Sequence, residues 1–160
     1  MNVTDLLDRA KVQGVMIATA ESCTGGMVAA ALTDIPGSSA VVDRGFVTYT
    51  NTAKQQMLGV QVGTLDAHGA VSEQVAREMA EGALEHSEAQ LAVSITGIAG
   101  PGGSEFKPEG RVCFGLAASG TPTHVETIEF GALGRDKVRV AARDHALNLL
   151  STGLFTLAQK

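Results

Sequence analysis

The chain contains no tryptophan, a single tyrosine (Tyr49), four prolines and two cysteines in 160 residues. So few aromatics leave Val, Ile, Leu and Ala to build the core. Cys23 and Cys113 are far apart and neither has a neighbour at metal-ligand spacing, which speaks against a thiolate metal site and for free thiols in a reducing compartment. Basic residues are also scarce: twelve Lys and Arg face seventeen Asp and Glu, for a net charge of −5. Without a basic block to neutralise phosphates, nucleic acid is excluded as a main partner. No apolar run approaches the ~20 residues of a membrane span, and the charged first ten residues lack a signal-peptide core. A soluble, cytoplasmic protein with no membrane partner is expected.

What is present is a globular composition, 44% hydrophobic and 18% charged, of a length that suits one domain over residues 1–160. Nineteen glycines imply many tight loops. A first helix capped by Thr4 carries Leu6, Leu7, Ala10 and Val12 and closes near Gly14. A strand over 15–20 leads through a small polar turn to a helix over 24–33. Ile35 to Ser39 reads as a loop. The stretch 41–49 reads as a strand interrupted by Asp43-Arg44-Gly45, and Asn51-Thr52 opens a short helix. Ser72 starts an amphipathic helix with Val75, Met79, Ala83 and Leu84 on one face, and 91–96 is a buried strand. Strands over 111–118 and 123–130 form a hairpin joined at 119–122, and the last helix runs over 135–158 with Val138, Ala142, Leu149 and Leu150 inward. Strands alternating with helices, then a hairpin, predict an α/β fold: a three-layer α/β/α sandwich with a mixed β-sheet.

Ala-Glu-Ser-Cys-Thr-Gly-Gly at 20–26 is the most informative stretch. A strand-to-helix turn at the carboxyl edge of a sheet presents Ser22 and Cys23 beside free backbone N–H groups, where anions and oxyanions are stabilised. Gly25 and Gly26 let a ligand approach the backbone. A helix cap is the plainer reading of the same residues, because Ser and Thr favour helix starts. The pattern is neither the Gly-x-Ser-x-Gly elbow nor the Ser-x-x-Lys of penicillin-binding enzymes. Tyr49 and Lys54 are five apart, unaccompanied by a Gly-x-Gly-x-x-Gly, which speaks against a short-chain dehydrogenase. Lys54 is either a solvated surface charge or, if desolvated, a general base for a serine hydroxyl. Arg44, breaking an apolar strand beside Gly45, is a surface residue or an anion ligand. The loop Gly97-Ile98-Ala99-Gly100-Pro101-Gly102-Gly103 matches neither a Walker A nor a Rossmann fingerprint, yet after a buried strand it can offer backbone donors. His68, His86, His124 and His145 are scattered, so no metal and no histidine triad is assigned.

These residues together resemble the CinA C-terminal domain family. The resemblance is carried by the 20–26 motif, Gly37-Ser38-Ser39, Arg44-Gly45-Phe46-Val47-Thr48-Tyr49, Asn51-Thr52-Ala53-Lys54, His68-Gly69-Ala70-Val71-Ser72 and Thr96-Gly97-Ile98-Ala99-Gly100-Pro101. It spans nearly the whole chain in the same order. It departs at Arg111 and Met27, where a small residue and an aromatic are frequent. The resemblance implies a nicotinamide-nucleotide amidase that converts nicotinamide mononucleotide to nicotinate mononucleotide and ammonia. It implies Ser22, Lys54 and Tyr49 as the catalytic set, and no cofactor. Cys23, Thr24, Gly25, Gly26, Ser39, Arg44, Gly45, Asn51, Gly97, Ile98, Ala99 and Gly100 are the expected substrate-binding residues, with Arg44 or the glycine-rich loops taking the phosphate. The partner is then a small-molecule nucleotide, and a homo-oligomer is expected because small enzymes often build sites near subunit contacts. Two alternatives stay open: Cys23 as nucleophile, and a nucleotide-binding or regulatory module without turnover.

Overall fold

A computed structural model describes residues 2–159. The first helix, α1 (Val3–Gln13), is capped by Asn2, whose side chain accepts from the Asp5 N–H. Thr4, the expected cap, is already inside the helix. Leu6, Leu7 and Ala10 are buried as expected, but Val12 points to solvent. Next come β1 (Ile17–Glu21), α2 (Met27–Thr33), a 3-10 turn over Ser38–Ala40, β2 (Val42–Val47) and α3 (Asn51–Leu58). Two helices, α4 (Val62–His68) and α5 (Glu73–Glu85), precede β3 (Leu91–Gly97). The chain ends with β4 (Arg111–Ala118), β5 (Thr121–Glu129) and the long α6 (Arg135–Ala158). Sequence reasoning missed α4. Its seven residues bury only Leu65, so no apolar period could announce it.

The sheet order is β2-β1-β3-β4-β5. β1 runs parallel to both β2 and β3, and β4 runs antiparallel to both β3 and β5, giving the expected mixed sheet. Ile17, Val93, Ile95 and Phe114 face one layer, where Leu6 and Leu7 of α1, Leu32 of α2 and Leu150 and Leu154 of α6 cover them. Ala18, Ala20 and Ala92 face the other layer and pack on Leu58 of α3, Leu65 of α4 and Val75, Met79 and Ala83 of α5. Period-2 alternation along β1 thus splits one strand between two cores, and both cores are needed to bury it. Each fully buried Leu or Ile contributes roughly 1.5–3 kcal/mol.

The interruption foreseen in β2 is a bulge. Ile17 pairs with Val42 and Ala18 with Arg44, so Asp43 is the extra residue. Pro122, foreseen in a turn, lies inside β5, which tolerates it as an edge strand. None of the described helices is long and apolar enough to cross a membrane.

Register sets the site. Glu21 of β1 lies opposite Val47 of β2 and Ile95 of β3. The three parallel strands therefore bring Ser22 and Thr48, just past β1 and β2, level with Thr96 near the end of β3 at one edge. In open α/β sheets that edge is where ligands bind.

Candidate active site

Five residues separate β1 from α2. The helix starts at Met27, three residues later than expected, because Gly25 and Gly26 take left-handed conformations (φ +56° and +110°) that hold the chain in a turn. Ser22 is buried at the head of this turn. Its N–H donates to the Ile95 carbonyl, which ties it to β3. Glu21 is also buried, with one carboxylate oxygen accepting from the Val28 N–H at 2.9 Å and the other from the Ala29 N–H at 3.0 Å. A carboxylate at a helix N-terminus is a stabilising arrangement. Here it comes from the strand before the turn and fastens the turn at its far end.

Lys54 comes from α3. Thr50 caps that helix through the Ala53 N–H, and Lys54 and Leu58, one turn apart, are its two buried residues. A lysine thus takes the place of an apolar residue on a core-facing stripe and is 1% exposed. Its Nζ lies 3.0 Å from Ser22 Oγ, 3.0 Å from the Thr48 carbonyl oxygen and 3.3 Å from the Tyr49 carbonyl oxygen. No carboxylate pairs with it among the described residues. Burial pushes the Lys54 amine below the ordinary lysine value, with Cys23 and Glu105 nearby opposing the shift to a lesser extent. A neutral amine fits the three contacts: two N–H bonds serve the carbonyls and the lone pair faces the Ser22 hydroxyl.

Cys23 behaves in the opposite way. Burial pushes its thiol up to about 12, with the Glu21 carboxylate adding to the rise and its own backbone N–H opposing it. The thiol therefore stays protonated and is a poor nucleophile at neutral pH.

Ser22, Cys23, Tyr49, Asn51 and Lys54 share a cleft of about 340 Å³ with Gly97, Ile98, Ala99 and Gly100. That volume falls in the range of about 300–1,000 Å³ typical of small-molecule sites. Thr24, Gly25 and Gly26 form the turn behind it. The Tyr49 phenol does not reach Lys54 or Ser22; it accepts a 2.6 Å bond from Arg135 Nη2, and Arg135 Nη1 donates to the Gly100 carbonyl at 2.7 Å. Arg135, on the first turn of α6, brings an exposed guanidinium to the cleft.

Three predicted binding residues lie elsewhere. Ser39 is exposed on the 3-10 turn. Arg44 bonds Asp43 and the His86 carbonyl, anchoring the β2 bulge to the end of α5. Gly45 is a packing glycine, since a Cβ there would meet Thr19 Oγ1 at 2.7 Å. The phosphate role expected of Arg44 is therefore misplaced: its strand turns the side chain toward α5, far along the sheet from the carboxyl edge.

Glu21, Arg135 and Arg139 were missed as site residues. Arg139 donates from Nε to the Cys23 carbonyl at 3.0 Å and from Nη2 toward the Thr24 carbonyl at 3.4 Å. The available signals were an acidic residue ending an otherwise apolar strand and two arginines at one-turn spacing on a helix start. Among the described residues, no group of His, Cys, Asp and Glu could hold a metal ion.

The CinA C-terminal domain profile matches residues 2–154. The nicotinamide-nucleotide amidohydrolase PncC of Escherichia coli K12 is 54% identical over 141 residues, which cover 88% of this chain and 85% of that protein. A CinA-like protein of Chloroherpeton thalassium is 51% identical over 148 residues, covering 88% of this chain and 35% of that protein. The chain thus spans about a third of such longer relatives. The crystal structure of a competence/damage inducible protein from Agrobacterium tumefaciens superposes with a TM-score of 0.87 at 50% identity over 94% of both chains. A CinA superfamily protein from E. coli gives a TM-score of 0.89 at 37% identity over 92% of this chain and 86% of that one. The family thus matches along nearly the whole length in sequence and in fold, and the chain belongs to the CinA C-terminal domain family.

Proposed function

We propose that the chain is an amidohydrolase that converts nicotinamide mononucleotide to nicotinate mononucleotide and ammonia. The observation that carries this reading is the 3.0 Å contact between Ser22 Oγ and the buried, carboxylate-free Lys54 amine. The likeness to PncC supplies the substrate class.

Acting in its neutral form, Lys54 receives the Ser22 proton as Oγ attacks the carboxamide carbon. The C=O π pair moves onto oxygen, and backbone N–H groups of the 22–26 turn stabilise the resulting oxyanion. Lys54 passes its proton to the amide nitrogen, the C–N bond breaks, and ammonia leaves an ester on Ser22. A water molecule then gives a proton to Lys54 and attacks the ester. The proton returns to Ser22 and nicotinate mononucleotide departs. Tyr49 serves here through its backbone carbonyl, which orients Lys54, and through its phenol, which steers Arg135. Arg135 is the cation available in the cleft for the mononucleotide phosphate.

Ammonia release from nicotinamide mononucleotide tests the reading. Ser22→Ala should lose at least ~10³-fold in kcat, as removal of a serine nucleophile does elsewhere, while Cys23→Ala should stay within about threefold of wild type. Activity surviving Ser22→Ala but lost in Cys23→Ala would move the nucleophile to the thiol. Absence of release by wild type, with retained nucleotide binding, would instead support a binding module without turnover.

A further inference from the structure

Arg139 does not itself line the cleft, yet it is bonded to the turn that carries the nucleophile, 116 residues away in sequence. It sits one turn into α6 beside the buried Val138. Its guanidinium is half-buried and pairs with no carboxylate among the described residues. Two backbone carbonyls, those of Cys23 and Thr24, take its Nε and Nη2 donors. A guanidinium committed to backbone oxygens without a counter-ion constrains geometry more than it neutralises charge.

The consequence follows from peptide planarity. In a trans peptide the C=O of one residue and the N–H of the next point in opposite directions. A bond onto the Cys23 carbonyl therefore turns the Thr24 N–H away from Arg139. The Gly25 N–H, donating to the Ser22 carbonyl at 3.0 Å, does the same for the Cys23 N–H. The Cys23 N–H faces its own thiol, and the Thr24 N–H has no acceptor among the described residues. The latter is the unengaged donor nearest Ser22 Oγ along the chain. The left-handed glycines at 25 and 26 follow these peptide planes and bring no side chain to anchor the turn, so a bond from outside it helps to hold them. Glu21 fastens the helical end of the turn, at Val28 and Ala29, and leaves its middle to Arg139.

We propose that Arg139 is a positioning residue, holding the peptide planes of the 22–26 turn so that Ser22 stays on Lys54 and the Thr24 N–H stays free for an oxyanion. This rests on Ser22 being the nucleophile. Arg139→Met keeps the packing stem and removes every donor, and Arg139→Lys restores the charge with one donor head. Arg143→Met, one turn on at a partly exposed site and bonded to Asp144, is the control.

The experiment reads steady-state ammonia release from nicotinamide mononucleotide together with the rate at which a fluorophosphonate labels Ser22, located by peptide mass spectrometry. Arg139→Met is expected to lose about ten- to a hundredfold in kcat, the scale of an ångström-level misplacement, with KM within about twofold. The labelling rate should fall in parallel. Arg139→Lys, or millimolar guanidinium added to Arg139→Met, should recover part of both. If Arg139→Met misfolds, Arg139→Lys alone carries the test, with a fall in kcat at unchanged KM and melting temperature expected. Labelling and kcat within about threefold of wild type in Arg139→Met would overturn the proposal while leaving the amidase reading intact. Parallel loss of labelling in a chain that releases no ammonia would uphold Arg139 and overturn the substrate. A wild type that neither labels nor turns over would overturn both.

Discussion

The Ser22 wall of the cleft and the glycine-rich wall opposite, residues 97–109, both follow parallel strands, yet they are held by different means. On the Ser22 side the carbonyls of Ser22, Cys23 and Thr24 are all engaged, a buried carboxylate fastens the helix start, and Lys54 is enclosed. On the other side Phe106 is fully exposed and Glu105 and Phe106 carry positive φ angles of 52° and 64°. That wall is attached at discrete points: Lys107 donates to the His68 and Val71 carbonyls, and Glu109 accepts from the N–H groups of Gly102 and Gly134. On the amidase reading, the preorganised bonds lie where charge would develop, and fewer bonds hold the wall opposite.

Substitutions on each wall should therefore differ in kind. After Ser22→Ala, the largest effect belongs to Lys54→Met, with ammonia release down about 10²–10⁴-fold, the usual share of a general base. The same change should alter the pH dependence of stability. The folded amine has a lowered pKa, so between that value and the ordinary lysine value the unfolded chain binds more protons, and wild-type stability climbs with pH through this window. Urea melts stepped from pH 6 to 10 should show that climb in wild type and not in Lys54→Met. An identical slope in both proteins would mean that the amine is solvated and that the contrast between the walls is false.

Glu109→Ala comes next and addresses the open wall. Releasing two backbone N–H groups, each worth about 1 kcal/mol when bonded, should raise KM roughly five- to tenfold and leave kcat within about twofold. A collapse of kcat at constant KM would show that the glycine loop takes part in the chemical step. The smallest effect is that of Cys23→Ala on alkaline stability. The folded thiol titrates at about 12 instead of 9.0, so the native state retains a proton that the unfolded chain releases. The stability of wild type relative to Cys23→Ala should therefore fall as pH rises above 9.0, whatever the Lys54 amine contributes to both. Melting temperatures at pH 8 and pH 10 measure the difference.

Much of the architecture was legible from periodicity. The bounds of α6 and β4 and the Ser72 start of α5 came through as expected, because long apolar stripes and capping chemistry are local signals. Thr4, Val12 and the missed α4 mark the limit of that reading, since a short helix with one buried residue has no pattern to detect. Ser22, Lys54 and Tyr49 do meet in one cleft, where the phenol is bonded to Arg135 and not to the amine. Arg44 and Gly45 looked like binding residues because a charge and a glycine interrupted a strand, whereas the cause was a bulge.

The sequence by itself determined the α/β layering and the family, because these depend on local pattern and residue chemistry. Only the tertiary structure decided which hydroxyl meets the amine, which arginines serve the site and which glycine merely lets layers pack. Those outcomes depend on strand register and on the approach of α6, over separations of up to 116 residues that no local signal spans.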